Sequence, residues 1–72
     1  MQTLVFNTRT KTVQLLDGRR EGSNTIEYFE NVPTVKIEQG YYEVMKKMDE
    51  ESTTVIPVLR VPISNTNMVI IK

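Results

Sequence analysis

Two periodicities divide the chain. In "TLVFN", Leu4 and Phe6 alternate with Thr3, Val5 and Asn7, and in "TVQLL", Val13 and Leu15 alternate with Thr12 and Gln14. A repeat of two sends successive side chains to opposite faces of an extended chain, so both runs predict strands. The short "TRTK" between them predicts an antiparallel hairpin. "LDGRREGSN" then supplies a turn through Asp17-Gly18, because glycine accepts positive φ without steric cost. Alternation resumes through Ile26 and Tyr28 in "TIEYFENV" and through Val35 and Ile37 in "TVKIE". Pro33 lies between these runs and lacks a ladder N–H. It either separates two strands or marks a bulge or edge position in one.

The period changes in "QGYYEVMKKMDEES", residues 39–52. Tyr41, Val44, Met45 and Met48 recur at offsets of three and four, which predicts a helix with one apolar face. Glu43, Lys46, Lys47 and Glu50 fall on the other face, with Glu43 and Lys47 spaced for an ion pair one turn apart. Gly40 is only a fair N-cap. A helix of about ten residues does not persist alone in water, so this one is expected to pack on a sheet.

"TVIPVLRVPISNTNMVIIK", residues 54–72, reads as two apolar strands joined by the polar turn "ISNTN". Its apolar residues occupy both faces of each strand, a pattern of strands covered on both sides. Pro57 and Pro62 interrupt a ladder and predict an edge strand or a bulge. The fold expected from these elements is α+β: about five or six short antiparallel strands and one amphipathic helix, in the order ββ-β(β)-α-ββ, forming a single domain over 1–72.

Composition narrows what such a domain does. A chain of 72 residues supports a core of only about 3–5 kcal/mol net stability. Cysteine and histidine are absent, so disulfides and thiolate or imidazole metal sites are too. Nine basic and nine acidic residues cancel, leaving a weak overall field. The start "MQTLVFNTRTK" has no basic stretch followed by an apolar run of signal-peptide length, and no segment reaches the roughly 18 apolar residues of a membrane span. A cytoplasmic protein without a membrane partner is expected.

Catalytic groups are scarce. Ser23, Ser52 and Ser64 lie in turns with no base beside them in sequence. Glu27 and Glu30 are three apart, hence on opposite faces of a strand. Asp49, Glu50 and Glu51 read as a solvated helix end rather than a cation site. "DGRREG" lacks phosphate-loop spacing. No catalytic residue, no cofactor and no metal is expected.

Two binding surfaces are expected instead. The first is a protein interface at Val55, Ile56, Val58, Arg60, Met68, Ile70 and Tyr42. Oligomerisation is the stabilising device left to a domain without disulfides or metal, and each further Val or Ile it covers contributes about 1.5–3 kcal/mol before association costs. Arg60 would pair with a neighbour's carboxylate. Phe29 is a further exposed aromatic if Ile26 and Tyr28 face the core, and the roles reverse if Phe29 packs beneath the helix. The second surface, the alternative, is a nucleic-acid contact through Arg9, Lys11, Arg19 and Arg20, in loops at opposite ends of the second strand. The function expected first is a non-catalytic interaction module: a homodimeric regulator or inhibitor that binds another macromolecule, of a size common among phage and mobile-element proteins.

Overall fold

The alternation in the N-terminal half folds as its pattern dictates. In a computed structural model describing residues 1–72, Gln2–Asn7 (β1) and Thr12–Leu16 (β2) form an antiparallel hairpin, and Thr25–Phe29 (β3) adds to β2. Pro33 resolves as a break: β3 ends at Phe29 and a separate strand, Thr34–Ile37 (β4), begins beyond it. β4 enters a second sheet with Tyr41–Lys47 (β5) and Val55–Pro62 (β6). A 3₁₀ turn, Ile63–Asn65, leads to Thr66–Ile71 (β7), which returns to the first sheet. The strand orders are β3-β2-β1-β7 and β4-β5-β6.

The expected α+β class is therefore corrected: the chain is nearly all β and has no α-helix. The predicted helix is β5. Over seven residues, apolar positions can satisfy offsets of three and four and also alternate. Here Tyr42 and Val44 face the core, while Met48, assigned to the helix's apolar stripe, is 65 % exposed. Hydrogen bonding decides between the two conformations. β4 and β6 each pair with β5 and with no other strand. A helical β5 would strand both ladders, leaving their backbone groups unmatched.

A second correction concerns the C-terminal segment, which is not a hairpin. β6 pairs antiparallel with β5, whereas β7 pairs parallel with β1, from Gln2↔Thr66 to Asn7↔Ile71. Parallel neighbours cannot be joined by a tight turn; here nearly the whole chain separates them. The crossings β3→β4 and β6→β7 each carry the chain from one sheet to the other. Followed through both crossings, the strand neighbours form a closed circuit with two splayed flanks, β3/β4 and β6/β7.

The core fills the space between the sheets. Leu4, Phe6, Val13 and Leu15 from the first meet Val44 and Val61 from the second, with Phe29, Val35, Leu59 and Met68 at the margins. Val32, fully buried in the β3–β4 connection, plugs one end. Two left-handed residues, Lys11 and Asn31 (φ 58° each), shape that end. The Lys11 carbonyl accepts from the Val32 N–H at 2.9 Å, and the Asn31 carbonyl from the Lys47 N–H at 2.8 Å. These bonds tie the β1–β2 turn to the second sheet. A bulge opposite Val44/Met45 leaves Val58 without a ladder partner, so Val58 and Leu59 both pack against the core.

Candidate functional site

β6 and β7 are the edge strands of their sheets and meet at the 3₁₀ turn, so they share one flank. Val55, Ile56 and Ile70 are 39 %, 39 % and 52 % exposed on it. Val55 begins β6 opposite Lys47, and Ile71 ends β7 beside Thr8, at the end closed by the β1–β2 turn. These three thus lie at one end of that flank, while Ile26 on β3 and Ile37 on β4 are exposed on the other. Contrary to the expectation of strands covered on both sides, only Val61 of β6 and Thr66 of β7 are buried in these two strands.

The four edges differ in what guards them. β3 carries Glu27, β4 carries Lys36, and β6 carries Arg60 with Pro57 and Pro62. β7, "TNMVII", has neither a charge nor a proline. The Ile71 carbonyl accepts from the Thr8 N–H at 2.8 Å, so the peptide groups of Ile71, and by alternation of Val69 and Asn67, face β1. The N–H and C=O of Met68 and Ile70 therefore point away from the sheet, along an unpaired edge.

Three of the expected interface residues are placed differently. Tyr42, Val58 and Met68 are half-buried against the core rather than presented to a partner. Arg60 does not await a neighbour's carboxylate. Its Nε donates to Glu43 Oε2 at 2.6 Å across the β5–β6 pair, and its guanidinium lies 5.2 Å from the Tyr41 ring centroid. The expected Glu43–Lys47 pair is replaced by this one because Glu43 and Arg60 are direct cross-strand partners. The hydrogen bond to Glu43, followed by the charges of Tyr41 and Glu43, raises the Arg60 pKa above its ordinary value. A raised base pKa contributes stability fully present below the ordinary pKa and lost only as pH rises through the folded-state value. Arg60 therefore adds no pH dependence near neutrality.

The Glu43 side chain is 9 % exposed and that of Arg60 62 %, so the two ends of the pair are not equivalent. Arg60→Ala leaves a buried carboxylate without its donor, whereas Glu43→Gln keeps a hydrogen-bonding group of the same shape. Arg60→Ala is expected to lower the urea midpoint more than Glu43→Gln does. Equal midpoints for the two variants would remove this account of the pair.

The basic residues do not form one patch. Arg9 and Lys11 sit in the β1–β2 turn and Arg19 and Arg20 in the β2–β3 loop, at opposite ends of β2. Arg9 Nη2 donates to the Lys72 carbonyl at 3.4 Å. The two aromatic roles are reversed: Phe29 packs against the core, while Tyr28 is 54 % exposed on the outer face.

Pattern reading missed the outer face of the four-stranded sheet altogether. Thr3, Val5 and Leu16 are buried there even though they face away from the core. The loop of residues 17–24 lies beside them, its ends closed by Asp17 N–H to the Asn24 carbonyl and Asn24 N–H to Asp17 Oδ1, both 3.0 Å. Thr3 Oγ1 donates to the Gly18 carbonyl at 2.7 Å and fixes the loop to β1. An open concavity of about 300 Å³ results, floored by Val5 and Leu16 and bordered by Tyr28 and Arg20. A second, of about 270 Å³ near Lys11, Asn31 and Lys47, has no aromatic in its lining, with Pro33 its one apolar residue, and includes Glu50. The one available signal was Val5 and Leu16 themselves, apolar residues on the face that alternation gives to solvent.

These features define a small double-sheet β protein with an unguarded strand edge and one apolar-floored surface concavity. No protein-family model matches the chain, and no curated protein or solved structure matches it either. No helix is long and apolar enough to cross a membrane.

Proposed function

We propose that this protein is a non-catalytic interaction module that pairs with a second copy along β7 and, as a two-fold dimer, occupies a surface on another macromolecule as a regulator or inhibitor. The observation that carries the reading is the β7 edge: alone among the four, it has neither charge nor proline, while its neighbour β6 has both. Unguarded edges template further strand pairing. Antiparallel pairing of two β7 edges is self-complementary, as two-fold symmetry requires. It would match the outward peptide groups of Met68 and Ile70 and cover Ile70, with Val55 and Ile56 near the same end. A chain without cysteine suits a cytoplasmic setting.

The test is solution mass across a dilution series for the native protein and for Ile70→Pro. Proline at 70 deletes an outward N–H while leaving the β1 ladder untouched, so the variant is expected to fold and to remain monomeric where the native chain dimerises. A native chain that stays monomeric at about 100 µM, far above the micromolar Kd range of ordinary complexes, would defeat the proposal. So would an Ile70→Pro variant that dimerises unchanged.

A further inference from the structure

The concavity on the outer face of the four-stranded sheet has a defined chemistry. Its floor, Val5 and Leu16, is apolar and buried, and the Tyr28 ring stands beside it, half exposed. Its charge is one-sided: Arg20 is the only ionisable lining group besides the Tyr28 phenol, and no carboxylate lines it. Arg20 makes neither an ion pair nor a side-chain hydrogen bond, since the chain's single salt bridge joins Arg60 to Glu43 on the other sheet.

Two lining amides are each half engaged. Gln14 Nε2 donates to Thr25 Oγ1 at 2.6 Å, which orients the amide and leaves Oε1 as an open acceptor. Asn7 Oδ1 accepts from the N–H groups of Arg9 and Thr10 at 3.0 and 3.1 Å, which leaves Nδ2 as an open donor. Both orientations are set by bonds within the chain, so the open groups are held in place before any ligand arrives. The lip is similarly held: Thr3 Oγ1 donates to the Gly18 carbonyl, and the paired bonds between Asp17 and Asn24 close the loop that carries Arg20.

A ligand complementary to this surface has a flat ring for Tyr28 and the apolar floor, adjacent acceptor and donor groups on the ring edge, and an anionic group for Arg20. Stacking on a sheet-borne aromatic beside a cation is how proteins hold single bases without pairing them. We propose that the concavity binds a single nucleotide unit, with the base against Tyr28, its edge at Asn7 Nδ2 and Gln14 Oε1, and the phosphate at Arg20. The polar concavity near Lys11 and Lys47 offers no comparable platform, since no aromatic lines it and Glu50 opposes an anion. The unit comes either from a free mononucleotide or from a single strand.

The experiment titrates ¹⁵N-labelled protein with AMP, adenosine, inorganic phosphate and single-stranded poly(dT), following the side-chain amide signals of Asn7 and Gln14. Saturable shifts of both signals with AMP or with the strand are expected. Saturation by AMP identifies free nucleotide as sufficient; saturation by the strand alone identifies a nucleotide within nucleic acid. Tyr28→Ala is expected to weaken binding at least about fivefold. Tyr28 is half exposed, and an otherwise unchanged amide spectrum shows that this variant folds. Arg20→Ala is expected to abolish any preference for AMP over adenosine, while Arg19→Ala, outside the concavity, leaves affinity unchanged. The proposal is overturned if neither nucleotide probe moves both amide signals at millimolar concentration, or if inorganic phosphate alone reproduces the shifts. It is equally overturned if Tyr28→Ala binds as the native chain does, or if Arg19→Ala weakens binding as much as Arg20→Ala.

Discussion

A Val44→Asn variant is expected not to fold, whereas Met48→Asn should leave the urea midpoint nearly unchanged. Val44 is fully buried at the centre of β5, in contact with residues of both sheets. Replacing it removes about 1.5–3 kcal/mol of apolar burial. The introduced amide adds a penalty of about 1–3 kcal/mol, since nothing in the cluster can hydrogen-bond it. Together these match the roughly 3–5 kcal/mol that a core of this size supplies. Met48 lies just beyond β5 and is mostly exposed, so its replacement removes little. Circular dichroism through a urea titration reads both variants. Similar losses for the two would restore the helical reading, in which Val44 and Met48 share one buried stripe.

The second large effect is expected at Leu4. It is fully buried on β1, the one strand hydrogen-bonded to both β2 and β7. Leu4→Ala should cost about 2–5 kcal/mol, through lost burial and the cavity left behind. The upper part of that range reaches the roughly 3–5 kcal/mol that a core of this size supplies, so a detectable unfolded fraction is expected without denaturant. Loss of β1 order also frees β7, whose only ladder partner is β1. Amide exchange in residues 66–71 should accordingly accelerate along with that of β1 and β2. A Leu4→Ala variant whose urea midpoint equals the native one would mean that the packing between the sheets is not what holds them together.

Sequence and structure agree where one local signal dominates. In β1 and β2 the alternation places Leu4, Phe6, Val13 and Leu15 in the core. The prolines of residues 54–62 called for an edge strand or a bulge, and β6 has both; of the two readings left open at Pro33, the structure takes the break between β3 and β4. Of the apolar residues expected at an interface, Val55, Ile56 and Ile70 are exposed and Val58, Met68 and Tyr42 pack against the core, while Ile26 and Ile37 are as exposed or more so. Agreement fails where two local signals coincide or where a distant partner chooses. "YYEVMKK" satisfies both periods, and its glutamate, lysines and methionine favour a helix, so propensity and pattern together pointed the wrong way. The outer concavity was equally hidden, since it depends on a loop folding beside residues that alternation assigned to solvent.

By itself, the sequence determined which residues are apolar, the alternation that makes β1 and β2 a hairpin, and the absence of any thiol or imidazole side chain, because these depend on residue type or on neighbours a few positions away. The tertiary structure alone decided that residues 41–47 are a strand, that Arg60 binds its own chain's Glu43, and that β7 crosses to lie parallel to β1. Each of these outcomes is settled by hydrogen-bond partners brought from far along the chain, and a backbone group left unmatched in the interior costs more than any local preference returns.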